Sequence, residues 1–514
     1  MSKGKIYLRN LTANWIGYGL KLIVLFFMSP FIVHSLGNVE YGVWCLLVSL
    51  TGYMGLLDVG LMSSISRYIN FYMAKNDQDN INRVVNTSLF SYFGLGMILF
   101  IVATIIGHFL TGFTHIPGHL VPQARWILYI FCVNILFGFI SALFRQLLAA
   151  NDRFDLMNGA GVAVLTIGTI GTILLLKYGY GLLALAVVQV ISSLIGCAIL
   201  YYLAKRYGPA FRICRASVKK EIFLELCQFG VFAFISDVGT ELVLYTDSIV
   251  IGLLISVTAI TFYNIGLMIV EYGRTIVIQV RSVMSPDILK CASGSSLMEI
   301  RWLLVQSTCF LMFIAVPIMV GFIALGKEFV WLWMGQGYEQ SATILSILAI
   351  SHLGAMASFS CFQALIGAGR VKLVAFITIA EGIMNLCLSI FFVMVCKLGI
   401  VGVALGTLIP MIGFTGVTVA ICTCRTFKIK LSEFTKVTHF RWLQTAIVFA
   451  IPCVAAAHLP ILASWPLFFG KIISLLIVYF PIGFYLLLTK REQNIISDYL
   501  KKNARIISAM SKMR

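Results

Sequence analysis

The chain reads as an all-α polytopic membrane protein, and three observations predict it. Hydrophobic residues make up 60% of its 514 positions, charged residues only 11%, and the mean hydropathy is +0.97, far from the usage of soluble domains. Apolar runs of about 18 to 26 residues recur from end to end, each long enough to cross a hydrocarbon core roughly 30 Å thick as a helix. The runs are continuous rather than alternating, which argues against a β-barrel.

In chain order the predicted spans are 14–36, 42–66, 84–110, 125–148, 158–177, 181–203, 226–254, 259–285, 303–326, 341–366, 373–395, 399–422, 442–459 and 467–489, about fourteen helices with no large soluble domain between them. The opening MSKGKIYLRN is basic but leads into a full-length span without a small-residue cleavage site, so a retained first helix is expected rather than a removed signal peptide.

The net charge of +18 has to be explained by location. With the N-terminus in the cytoplasm and about fourteen crossings, about 31 of the Lys and Arg residues fall in cytoplasmic segments, about five outside and two inside helices. The richest segments are 205–220, 424–441 and 490–514, whereas the alternate loops 255–260 and 459–466 carry no basic residue. The positive balance therefore reports topology, with both termini cytoplasmic, and contact with membrane lipids. Nucleic-acid binding is not expected.

Thirteen cysteines are scattered through the apolar spans, which gives no disulfide framework. The pair in CTC at 422–424 has no second pair or histidine at ligand spacing, so no metal site is expected. His34, His108, His115, His119 and His439 fall at span ends; His352 lies deep in a span.

An internal repeat organises the chain. KYGYGLLALA (177–186) aligns with KLGIVGVALG (397–406) at an offset of 220, LLAANDRF (147–154) matches ALIGAGRV (364–371) after a small shift, and Tyr41 corresponds to Tyr263. Six helices per repeat is an even number, so both copies enter the membrane from one side and are expected to be related by a pseudo-twofold axis along the membrane normal. The expected lobes are 1–203 and 226–422, joined by a basic cytoplasmic linker, 204–225. They are followed by a basic loop with helices thirteen and fourteen (423–489) and a basic cytoplasmic tail (490–514).

Several charges interrupt the spans. A charge at mid-bilayer costs about 2.5 to 3.5 kcal/mol even on insertion scales, so several facing lipid could not be sustained. Asp58 and Arg67 are nine residues apart and point in opposite directions on a continuous helix; Arg67 is close enough to the cytoplasmic end to snorkel. Lys21 lies at a depth similar to Asp58, and the two are expected to face one another or share a cavity. Asp237 and Glu241, four apart, share one face of span seven, with Asp247 nearer its outer end. Glu271 and Arg274, three apart, are placed to pair, and Glu381 and Asn385 have a spacing of four in span eleven. By the repeat offset Lys21 falls on Thr240 or Glu241. These groups are read as lining a wetted chamber to which both lobes contribute, against the simpler reading of internal ion pairs that fix helix register. Pro30 is the candidate hinge among the span-interrupting prolines, which include Pro317, Pro410, Pro452 and Pro481.

The segments PFIVHSLGNVEYG (Pro30–Gly42), GLLDVGL (Gly55–Leu61) and SRY (Ser66–Tyr68) resemble the opening of bacterial polysaccharide exporters of the O-antigen (Wzx-type) flippase family. That family belongs to the multidrug/oligosaccharidyl-lipid/polysaccharide exporter superfamily. FYNIG (262–266) and GAGR (367–370) resemble pieces of its second lobe. The resemblance implies a bacterial inner-membrane transporter that turns a polyprenyl-diphosphate-linked oligosaccharide from the cytoplasmic to the outer leaflet by alternating access. Polysaccharide polymerase and glycosyltransferase machinery are the implied partners.

Lys21 and Arg274 are then the candidates for holding diphosphate, with Arg67 and Arg145 near the cytoplasmic mouth. Asp58, Asp237, Glu241 and Glu381, with Asp247 and Glu271 also in the cavity, are candidates for binding a coupling proton or sodium ion. No other cofactor is implied. A cation-coupled multidrug or small-molecule antiporter of the same superfamily is the alternative. An enzyme would need a larger external loop than TGFTHIPGHLVPQ (111–123), the longest expected outside.

Overall fold

The computed structural model describes residues 3–58, 60–294, 297–459, 464–488 and 493. Apart from residue 493, the expected basic tail 490–514 lies outside the described residues. Among the described residues every regular element is a helix.

The first helix, α1 (Lys3–Met54), is 52 residues long, about 78 Å at 1.5 Å per residue and more than twice the hydrocarbon thickness. It breaks at Gly37, whose φ of 76° and ψ of 167° are not helical; Pro30, the expected hinge, is carried inside the helix. A 3-10 turn, Gly55–Asp58, follows, then α2 (Leu61–Ala74), α3 (Gln78–Phe113), α4 (Val121–Ala149), α5 (Phe154–Lys177), α6 (Gly181–Tyr207), a short 3-10 turn at Arg215–Ser217, α7 (Lys220–Leu254) and α8 (Val257–Gly294). The chain continues through α9 (Leu297–Met334), α10 (Glu339–Met356), α11 (Phe359–Gly367), α12 (Val371–Met394) and α13 (Gly399–Pro410). A π-helical segment, Met411–Thr418, leads into α14 (Val419–Thr426), α15 (Leu431–Val437), α16 (His439–Ala457) and α17 (Trp465–Leu486).

Ten of the described helical stretches are long and apolar enough to cross a membrane, and eleven if α10 and α11, bent by 42°, count as one span. Fourteen are not reached on length and composition. Expected spans one and two fall in the single stretch Gly17–Asp58, and α7 and α8 are not among the ten. α8 interrupts its apolar run with Asn264, Glu271, Arg274 and Arg281. The second span also departs from expectation, because a continuous helix over 42–66 is broken between Gly55 and Gly60. The opposite-face relation of Asp58 and Arg67 therefore does not apply.

The chain divides into two compact units, Met1–Thr261 and Phe262–Arg514. The expected linker 204–225 and α7 both lie inside the first. In that unit α4 packs on α3 and α6, α5 on α1 and α6, and α7 on α1, α2 and α3. Leu61, Ile65 and Ile69 of α2 meet Val84, Val85 and Tyr92 of α3 and Leu143 and Leu147 of α4 in a buried core. Gly60, the N-cap of α2, has φ +69°, and a Cβ there would lie 2.2 Å from the Gly230 carbonyl oxygen. Only glycine permits both the left-handed turn and that approach of α7.

The segment after α6 is stitched to α3. Asn86 donates to the Arg212 carbonyl (2.8 Å) and accepts from the Cys214 amide (2.7 Å), Asn82 accepts from the Arg212 amide (2.9 Å), and Gln78 donates to the Ala210 carbonyl. In the second unit α9 packs on α10, α16 and α17, and α12 on α13, around a core that includes Ile288, Leu304, Leu365, Val374 and Phe434.

Candidate functional site

The first unit gathers acids. Asp58 closes the 3-10 turn where α2 begins, and its Oδ2 accepts the Met62 amide at 3.0 Å, as a carboxylate does at a helix N-terminus. Its Oδ1 is buried with no hydrogen-bond partner among the described residues, and the Tyr92 hydroxyl of α3 lies beside it. α7 packs against the 3-10 turn that ends in Asp58 and carries Asp237, which is exposed, and Glu241 one turn on, on the same face. Glu241 Oε2 is likewise buried without a hydrogen-bond partner among the described residues. One turn further along α7, the Thr246 hydroxyl is 2.6 Å from the Tyr53 hydroxyl, and Asp247 is buried. Asp58, Asp237 and Glu241 thus lie within one unit.

Among the described residues no ion pair joins Lys21 to Asp58. Lys21 is exposed, but not on the face of α1 that presents Leu20, Ile23 and Phe27 outward; it shares a face with Met28, seven residues on, which is buried. Arg67, midway along α2, and Arg145, near the end of α4, are exposed.

The second unit holds a separate set. Arg274 Nη2 lies 2.7 Å from Glu271 Oε2, and Arg274 Nε donates to the same carboxylate at 2.8 Å. His352 of α10 approaches Glu271 at 3.4 Å through Nε2, while its Nδ1 lies 2.9 Å from the Leu348 carbonyl oxygen. Arg281 stands seven residues beyond Arg274, on the same face of α8, with its guanidinium over the Phe359 ring at 4.9 Å. Sequence reasoning missed Arg281, although its heptad spacing from Arg274 was a usable signal.

Glu381 of α12 is 3% exposed and accepts a hydrogen bond of 2.5 Å from Thr415 in the π-helical segment. Asn385, one turn along, donates to Thr407 of α13 at 2.9 Å. Among the described residues no group of three or more His, Cys, Asp or Glu side chains could hold a metal ion, and the cysteines are free.

Residues 35–343, more than half of the chain, match the family model described as polysaccharide biosynthesis protein. The chain belongs to that family. Among relatives of the chain, the putative O-antigen transporter of Shigella flexneri is 23% identical over 432 residues, covering 79% of this chain and 95% of the relative. Among solved structures, the lipid II flippase MurJ in an inward closed conformation matches with a TM-score of 0.69 at 17% identity, covering 92% of this chain and 97% of that one. A multidrug resistance MATE family transporter of the MOP superfamily, facing inward, matches with a TM-score of 0.67 at 14% identity, covering 85% and 96%. The fold is thus that of the polytopic MOP transporters.

Proposed function

We propose that the protein is a cation-coupled transporter working by alternating access, with a polyprenyl-diphosphate-linked oligosaccharide as its substrate. The observation that carries the cation coupling is the group Asp58, Asp237 and Glu241. A carboxylate held in a membrane-embedded unit gains from a bound proton or other coupling cation, and releasing that cation changes the charge of the unit. The substrate class is supported by the family and by the O-antigen relative. Lys21, Arg67 and Arg145 in the first unit and Arg274 in the second are the cations proposed to meet the diphosphate, for which a guanidinium or ammonium supplies matching donors. Glu271 answers Arg274 directly, so Arg274 is available to diphosphate only when that pair opens.

A second reading, a cation-coupled antiporter of multidrug or small-molecule type, draws more direct support from the acids themselves. Carboxylates attract amphipathic cations, whereas a diphosphate asks for a positive surround. The fold shared with the MATE transporter is compatible with it.

Purified protein in liposomes separates the two. Leaflet exchange of a fluorescent polyprenyl-diphosphate glycan that exceeds protein-free liposomes, and responds to a proton or sodium gradient, is the expected result. Uptake of an amphipathic cation with no glycan-lipid exchange would establish the second reading.

A further inference from the structure

A cavity of about 560 Å³ lies within the first unit, where α2 and its preceding 3-10 turn meet α3 and the start of α7. Its walls are Leu57, Leu61, Phe90, Leu95, Ile98 and Phe223. Phe90, Ile98 and Phe223 remain exposed although they line it, so the cavity is a groove open to the surroundings of the unit. At its rim stand Lys219 and Lys220, both exposed and neither joined to an acid among the described residues. The Lys219 amide donates to Thr87 of α3 at 3.2 Å, which fixes the rim to the groove wall. The same two residues open α7, whose N-terminus no side chain caps; its helix dipole adds positive potential there. Glu221 and Glu225, the neighbouring acids of α7, do not line the groove.

We propose that this groove is a binding site for an anionic phospholipid, with one acyl chain along the apolar walls and the phosphodiester between Lys219 and Lys220 at the start of α7. A free inorganic anion would leave the hydrophobic length unused. A zwitterionic lipid would bring a second, repelled positive charge to the lysine rim. A polyprenyl chain is several times longer than a fatty acyl chain and too bulky for 560 Å³. The proposal therefore does not depend on the substrate assigned above. Two lysines near a membrane surface contribute on the order of a tenfold preference for an anionic headgroup.

The test uses the full-length protein, delipidated in detergent and titrated with phosphatidylglycerol, phosphatidylcholine, polyprenyl phosphate or inorganic phosphate, with binding read by native mass spectrometry. Phosphatidylglycerol is expected to bind about tenfold more tightly than phosphatidylcholine, and inorganic phosphate is expected not to displace it. K219A/K220A should remove the preference while leaving the two phospholipids bound equally. Gly94→Phe should remove the binding itself. Gly94 lines the groove, and a Cβ there meets nothing within 4 Å, so the ring enters open space. Equal binding of the two phospholipids by the native protein, unchanged preference in K219A/K220A, displacement by inorganic phosphate, or tighter binding of polyprenyl phosphate at this site would each overturn the proposal. The lysine variant alters only exposed side chains, so it gives an answer even if Gly94→Phe folds poorly.

Discussion

The Lys471 ammonium of α17 donates to Glu328 Oε2 of α9 at 2.7 Å, and the two side chains are only 6% and 7% exposed. The pair ties α17 to α9, alongside the Tyr479 hydroxyl donating to the Phe313 carbonyl at 2.8 Å. Removing one partner leaves the other charge buried and unpaired, which costs about 3 to 5 kcal/mol, whereas an apolar replacement of both is close to neutral. Lys471→Met and Glu328→Leu should each lower the unfolding temperature in detergent, and the double variant should recover most of the loss. Equal, additive losses would show that the pair is not coupled.

Gly60 gives a second stability prediction. An L-residue in the left-handed conformation costs about 1 to 2 kcal/mol, and the Gly230 carbonyl leaves no space for a Cβ. Gly60→Ala should destabilise the protein by more than about 1 kcal/mol and displace α7 from α2. Gly55→Ala is the control: its Cβ meets nothing within 4 Å, and its effect should stay within about 0.5 kcal/mol. Thermal unfolding of the two variants side by side checks both.

Asp77, outside the membrane spans at the N-cap of α3, accepts the Asn80 amide at 3.1 Å and the Asn80 side-chain amide at 2.6 Å. Those bonds to the charged form, the backbone one first, hold its carboxyl below the usual aspartate range. A depressed value in the fold means that its contribution is fully present above the ordinary value of about 4 and is lost as pH falls through the lower, folded value. Unfolding temperatures of the native protein minus those of Asp77→Asn should therefore be constant above about pH 5 and shrink towards pH 3. A difference that grows on acidification would reverse the assignment.

Much of the architecture was legible because it follows from one-dimensional patterns. Apolar runs mark helices wherever the bilayer forbids unsatisfied backbone, and the Glu271–Arg274 pair could be read from a spacing of three. What stayed hidden depends on contacts remote in sequence. Glu328 and Lys471 are 143 residues apart, and nothing local distinguishes Lys471 from an interfacial lysine. The break at Gly60 was obscured because glycine is ordinary in membrane helices; only the approach of Gly230 shows that this glycine is required. The contacts of α7 with α1, α2 and α3 are of the same kind, since an offset of 220 says which segments correspond and not which ones touch.

The acidic group of the first unit yields the prediction that bears most on function. Glu241 Oε2 is buried with no described hydrogen-bond partner and lies one turn from Asp237 on the same face of α7, which makes it the residue proposed to bind the coupling cation. Glu241→Gln keeps the shape and removes that charge. It should fold and insert as the native protein does but lose the dependence of transport on a proton or sodium gradient, measured in proteoliposomes as a rate that is the same with and without the gradient. Lys21→Ala should behave differently. It removes a candidate anion contact and should lower exchange of a polyprenyl-diphosphate glycan while leaving uptake of an amphipathic cation unaffected. If Lys21→Ala exchanges the glycan lipid normally, the diphosphate is met by other cations. If Glu241→Gln keeps its full response to the gradient, the carboxylates of α7 are structural, because a residue that binds the driving ion cannot lose its charge without uncoupling the two fluxes.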